Sequence, residues 1–67
     1  MEISYKKLWD LVEENKMKKS DLMRAAKISK YTFSKLNHNE PVGLEVMKNI
    51  CKVFHCDIGD VMEMIEE

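Results

Sequence analysis

The sequence predicts an all-α fold of five short helices. Three observations favour it: repeated helix-start signals, apolar residues that recur at helical spacing, and the absence of any segment that alternates apolar and polar residues. The chain has 67 residues, of which 45% are hydrophobic and 34% charged, with one Pro and two Gly. This composition indicates a folded chain in which few positions require a turn. We expect residues 1–67 to form a single domain.

Four of the five predicted helices begin with the same signal, in which an apolar residue precedes a capping residue and packs on an apolar residue five positions later. The expected caps are Ser4 for the first helix, Ser29 for the third, Gly43 for the fourth and Asp57 for the fifth. The apolar pairs are Ile3 with Leu8, Ile28 with Phe33, Val42 with Met47, and Cys56 with Val61.

The second helix lacks this signal, and we place its first boundary at Lys18 and its end near Ala26. Asp21 then falls in the first turn, where a carboxylate suits the helix dipole. Apolar residues on one face of each helix define the expected core: Tyr5, Leu8, Leu11, Val12, Leu22, Ala25, Ala26, Phe33, Leu36, Leu44, Met47, Ile50, Cys51, Phe54, Ile58, Val61, Met62 and Ile65.

The net charge of −1 conceals an uneven distribution of charge along the chain. Residues 16–38 carry seven basic side chains and one acid, a local charge of +6, whereas residues 39–67 carry −5 and residues 1–15 carry −2. A basic segment in a near-neutral chain is typical of a surface that binds a polyanion. A basic face that is merely solvated is the alternative.

The segment 22–36 has the layout of a helix-turn-helix: a helix, a turn of three or four residues, and a second capped helix. On the second of these helices, Phe33 and Leu36 point to one side. The opposite side carries no acid and presents Lys30, Tyr31, Ser34, Lys35 and His38. Such a helix fits the major groove of DNA, where Lys can donate to guanine and Ser or Tyr can contact other base edges.

Three motifs carry a resemblance to a known family: MKKSDL at 17–22, AKIS at 26–29 and TFSKL at 32–36, followed by the tail 46–61. The chain resembles the phage repressor and Cro-type helix-turn-helix family, often called the XRE family. The resemblance covers nearly the whole chain. It implies a five-helix, lambda-repressor-like DNA-binding domain that binds operator double-stranded DNA as a symmetric homodimer.

The resemblance also implies roles for individual residues. Base edges would be read by Lys30, Tyr31 and Lys35, with Ser34 between them. Phosphates would be contacted by Lys18 and Lys19 at the start of the second helix, and the DNA backbone by His38 after the recognition helix. At Lys27 the sequence departs from the family, which commonly has Gly in this turn because the position often needs a positive φ.

Other functional classes have less support. Cys51, His55 and Cys56 suggest a metal site, but His38 is the only remaining fourth ligand for zinc and is expected on the DNA side. A Gly-rich phosphate loop and a Ser-His-Asp arrangement are both absent, so we expect no enzyme, cofactor or small-molecule substrate. Without a signal peptide or an apolar membrane segment, the chain is expected in the cytoplasm.

The leading hypothesis is a sequence-specific transcriptional regulator, and specifically a repressor. Two alternatives keep the same fold: an antitoxin or other protein-interaction module, and a domain that has lost DNA binding. The fifth predicted helix has more apolar residues than a small core needs, and exposure is expected around Met64. We therefore expect a homodimer through the C-terminal region.

Overall fold

The computed structural model describes residues 1–66, which form four α-helices, one 3-10 helix and a two-stranded antiparallel sheet. The helices are α1 (Lys6–Glu14), α2 (Lys19–Ala26), α3 (Lys30–Asn37) and α4 (Leu44–Phe54). The 3-10 helix spans Ile58–Asp60, and the strands are β1 (Glu2–Ser4) and β2 (Glu63–Ile65). The prediction of five helices and no sheet is therefore wrong, although the fold is mainly helical.

The predicted fifth helix is replaced by the 3-10 helix and β2. Its start signal is real, because the Asp57 carboxylate accepts from the Ile58 N–H at 2.7 Å and the Asp60 carboxylate accepts from the Asp57 N–H at 3.0 Å. The helix nevertheless ends after one turn. The next segment then pairs with β1, with Ile3 opposite Met64 in the register. The backbone groups there are satisfied across the strands instead of along a helix.

The start of α1 also differs from the prediction. Ser4 lies in β1 opposite Glu63, so it does not cap the helix, although its hydroxyl accepts from the Lys6 N–H at 3.3 Å. The boundary residue is Tyr5, whose N–H donates to Asn39 Oδ1 at 3.1 Å and whose hydroxyl donates to the Glu40 carbonyl at 2.8 Å. The beginning of α1 is thus tied to the turn that follows α3.

The remaining helix starts agree with the sequence. Ser29 caps α3 and its hydroxyl accepts from the Thr32 N–H at 3.2 Å, and Gly43 precedes α4. At the start of α2 the Lys18 N–H donates to Asp21 Oδ2 at 2.9 Å. This hydrogen bond, together with the neighbouring Arg24 guanidinium, holds the pKa of Asp21 below its usual range. The predicted boundary at Lys18 and the first-turn acid are both confirmed.

Each of the four α-helices is followed, within two residues of its end, by a non-glycine residue with a left-handed backbone: Lys16, Lys27, Asn39 and His55, with φ between 51° and 56°. In each case the residue that follows donates its N–H to the carbonyl five positions earlier, at 2.9–3.1 Å. This is the Schellman arrangement, which satisfies a free carbonyl of the last turn and reverses the chain. Glycine usually occupies this position because a Cβ is unfavourable there.

The core is a single cluster of buried side chains drawn from the helices, the turns and the segment after the 3-10 helix. Its members are Tyr5, Leu8, Val12, Leu22, Ala26, Ile28, Leu36, Met47, Ile50 and Val61. Four residues predicted to face the core are exposed: Ala25, Leu44, Ile58 and Ile65. Among residues 1–66, the structure has no helix with the length and apolar character needed to cross a membrane.

Candidate nucleic-acid interface

The turn between α2 and α3 consists of residues 27–29, which confirms the predicted helix-turn-helix layout. Lys27 has φ 55°, as the position requires, even though it is not glycine. Ile28 is buried and Ser29 caps α3. Because the turn residue before the cap is anchored in the core, the direction in which α3 leaves the turn is fixed by packing.

The inner side of α3 is fixed by Leu36, which is fully buried, and by Phe33, which is half-buried against the core. The outer side consists of two stripes in which residues follow each other at intervals of four and three. One stripe holds Lys30, Ser34 and Asn37, and the other holds Tyr31, Lys35 and His38. At 3.6 residues per turn, these six side chains share one side of the helix. We call them the outer face of α3.

The outer face has the exposure expected of a binding surface. Every member is exposed except Lys35, which is half-buried. Tyr31 is 73% exposed, and the Lys35 Nζ lies 4.8 Å from the centre of its ring. A cation over an aromatic face is held by the ring quadrupole. The predicted orientation of Lys30, Tyr31, Ser34 and Lys35 is thus confirmed, while their contacts with DNA stay a prediction.

His38 follows the last residue of α3, and its ring Nδ1 lies 2.7 Å from the Ser34 carbonyl oxygen. A carbonyl can only accept, so this hydrogen bond needs a proton on Nδ1. In a neutral ring Nε2 is then an acceptor, and only a doubly protonated ring can donate to a phosphate through Nε2.

The two lysines predicted to contact phosphates lie side by side at the start of α2, where Lys18 precedes the helix and Lys19 is its first residue. Lys19 Nζ donates to Asn37 Oδ1 at 2.9 Å and lies 4.3 Å from the centre of the Trp9 ring. The beginning of α2 therefore meets the end of α3. Sequence reasoning missed Asn37, although its spacing from Lys30 and Ser34 could have identified it, and it had no signal for Trp9.

The positive charge of this surface is not cancelled locally. Ion pairs among residues 1–66 are Lys6–Asp10, Lys7–Glu63, Arg24–Asp21 and Lys48–Glu45. The four lysines of the predicted interface, Lys18, Lys19, Lys30 and Lys35, take part in none of these pairs. Asp21, the one acid of segment 16–38, is engaged by Arg24 and by the backbone at Lys18. None of the four lysines is therefore neutralised by an ion pair among the described residues, and each keeps its charge available for an external anion.

The two cysteines considered as metal ligands lie near the end of α4. Cys51 is in the last turn of α4, and Cys56 lies between α4 and the 3-10 helix. Cys51 and Cys56 are half-buried free thiols, and burial raises the pKa of Cys56. His55 is exposed. Within residues 1–66, no three His, Cys, Asp or Glu side chains form a group suited to a metal ion.

Residues 7–67 match the Cro/C1-type HTH DNA-binding domain family. The chain therefore belongs to this family, and its partner is double-stranded DNA. Among solved structures, the crystal structure of transcriptional regulator VanUg is similar, with a TM-score of 0.93 and 45% sequence identity. The match covers 98% of the present chain and 88% of that protein. No curated protein matches the sequence.

Proposed function

We propose that this chain is a cytoplasmic transcriptional regulator that represses genes by inserting α3 into the major groove of an operator. The observation that carries the proposal is the outer face of α3, which presents two lysines, an exposed tyrosine, a serine and no acid. The similarity of the chain to VanUg, a transcriptional regulator, supports the same role. Residues 1–67 would act as one DNA-binding domain.

Base reading is assigned to Lys30, Tyr31, Ser34 and Lys35. Lysine can donate to O6 and N7 of guanine, and a serine hydroxyl can pair with several base edges. Lys35 has an additional constraint, because the Tyr31 ring lies 4.8 Å from its ammonium and limits the directions that it samples. A restricted side chain loses less entropy when it binds, which favours a defined base contact.

Phosphate binding is assigned to Lys18 and Lys19 at the start of α2 and to His38, the last member of the outer face, after α3. Contacts of this kind set the register of a protein on the duplex without reading sequence. They also give binding its salt dependence, because each neutralised phosphate releases counterions. The operator affinity is therefore expected to fall steeply with salt.

The binding unit is proposed to be a homodimer through the C-terminal region. Exposed apolar side chains there are Ile58, Met64 and Ile65, at 38%, 54% and 43% exposure. A two-fold dimer reads two half-sites about 34–36 Å apart, which doubles the sequence information available to one short helix. The expected operator is therefore palindromic.

The test is selection of duplexes from a random pool followed by electrophoretic mobility shifts. We expect one palindromic motif to be enriched. Lys35→Ala should lose about 1–3 kcal/mol on that motif and far less on random DNA, with relaxed preference at one or two base pairs. The control is Lys48→Ala on α4, an exposed lysine paired with Glu45, which should change neither affinity.

Two outcomes contradict the proposal. If no motif is enriched, the protein does not bind DNA sequence-specifically, and a protein-interaction role for the fold is left. Equal losses for Lys35→Ala on the selected and random duplexes would show that Lys35 contacts phosphate, and base reading would then rest on Lys30, Tyr31 and Ser34. The distinction is sharp because phosphate contacts are independent of sequence.

A further inference from the structure

A cluster of three side chains from three helices includes one member of the outer face of α3. Trp9 comes from α1, Lys19 from α2 and Asn37 from α3. The Lys19 ammonium lies 4.3 Å from the centre of the Trp9 ring, and it donates to Asn37 Oδ1 at 2.9 Å. We call these residues the lysine clamp.

The clamp rests on a fixed support. Trp9 is half-buried, and its ring meets Phe33 edge to face, with 6.1 Å between ring centres and an angle of 75° between the planes. Phe33 in turn packs against the core from the inner side of α3. The aromatic surface beneath Lys19 is therefore held by a contact with the inner side of α3.

An exposed lysine usually samples many rotamers, and ordering it on binding costs free energy. Lys19 differs because a ring on one side and an amide oxygen on the other already define where its ammonium lies. That place is the C-terminal end of the stripe formed by Lys30, Ser34 and Asn37. The ammonium thus lies at the rim of the outer face.

The chemistry that remains available at the clamp is donor chemistry. The Asn37 Oδ1 is engaged by Lys19, which leaves the two N–H donors of the amide and the other N–H donors of the ammonium. A phosphate offers negative charge and only acceptor oxygens, so it matches this set. Each base pair presents a donor as well as acceptors in the major groove and carries no net charge there, so it matches less well.

We infer that Asn37 binds a DNA backbone phosphate together with Lys19, and that Trp9 is a positioning residue that holds the Lys19 ammonium at this contact. The inference rests on the proposed function, since it requires α3 to lie in the major groove. It assigns two further residues to the interface, neither of which carries a charge. It also makes the register of the protein on DNA depend on α1, an element outside the helix-turn-helix.

The test is a double-mutant cycle in operator binding, measured as a function of salt. Lys19→Ala should weaken binding to all duplexes alike and reduce the log–log salt slope by about one. Trp9→Leu, which keeps an apolar side chain, should weaken binding by about 2–5-fold, the size of an exposed cation–π contact. Combined with Lys19→Ala, it should cause no further loss.

Folding must be separated from positioning, because Trp9 also contacts Phe33. Each variant is therefore compared at a temperature where circular dichroism shows it fully folded. Should Trp9→Leu not fold, Trp9→Phe replaces it, since Phe keeps a ring with a weaker attraction for the ammonium. Lys48→Ala again serves as the matched control, because its lysine is exposed and lies on α4.

The outcomes distinguish this inference from the proposed function. A Trp9→Leu loss that persists in the Lys19→Ala background would mean that Trp9 acts through the fold, and it would overturn the positioning role. Unchanged binding in Asn37→Ala, with losses in Lys19→Ala and Lys35→Ala, would overturn the phosphate contact of Asn37 and leave the proposed function standing. A wild-type protein that binds no duplex would overturn both.

Discussion

Lys27→Gly is expected to stabilise the protein. Lys27 has φ 55°, a left-handed conformation that costs a residue with a Cβ about 1–2 kcal/mol. Glycine relieves this strain but adds freedom to the unfolded chain, which costs about 0.4–1 kcal/mol. Taking the middle of each range leaves a net gain of about 0.5–1 kcal/mol. For a chain of this size it raises the midpoint of thermal unfolding by about 2–8 °C.

The matched control is Lys27→Ala, which removes the long side chain and its charge but keeps the Cβ. It should not stabilise the protein, because the backbone strain is unchanged. Thermal and urea unfolding of the three proteins supply the comparison. A lower midpoint for Lys27→Gly, or an equal gain for Lys27→Ala, would refute the reasoning and place the cause in the side chain instead of the backbone.

Three further outcomes are expected. Leu36→Ala, at a fully buried site on the inner side of α3, should lower the free energy of unfolding in urea by about 2–5 kcal/mol. The lowered pKa of Asp21 stabilises the fold above the unfolded value of about 3.9, and this contribution is lost as pH falls through the folded value. Asp21→Asn should therefore show a shallower loss of thermal stability in acid. Met64→Lys should reduce two-subunit complexes on operator DNA in sedimentation, whereas unchanged stoichiometry would exclude Met64 from the dimer interface.

The helix boundaries that follow from local rules were predictable. Ser29, Gly43 and the Lys18–Asp21 pair act over three or four residues, and the sequence pattern records such interactions directly. The inner and outer sides of α3 were equally accessible, because Phe33 and Leu36 fix which side is buried. These features depend on spacing within one helix, so no knowledge of the neighbouring elements is needed.

The two strands were not predictable for the opposite reason. Each has three residues, too few to show alternation, and each is stabilised by a partner at the other end of the chain. Ser4 has the local signature of a helix cap, yet its backbone pairs with Glu63 instead. A helix-start signal at Asp57 was likewise correct for one turn only. In both places a contact between distant segments overrode a local preference.

The residues of the candidate interface also divide into those that the sequence predicted and those that depend on contacts between distant segments. Residues on α3 could be chosen from the helical wheel, whereas the lysine clamp required three helices to be placed in space. Trp9 lies ten residues before Lys19 and on a different helix, so no periodicity connects them. Only the packing of α1 against the helix-turn-helix brings the ring beneath the ammonium.

The pairing of β1 with β2 has a consequence for the order of folding. It joins residues more than fifty positions apart, such as Ser4 with Glu63, whereas the helices and their left-handed ends form from contacts within a few residues. Closing so long a loop costs conformational entropy, and only a few strand contacts are gained in return. We therefore expect the helical core to assemble first, with the strands joining after the rate-limiting barrier. Substitutions in β1 or β2 should then accelerate unfolding and leave the folding rate nearly unchanged.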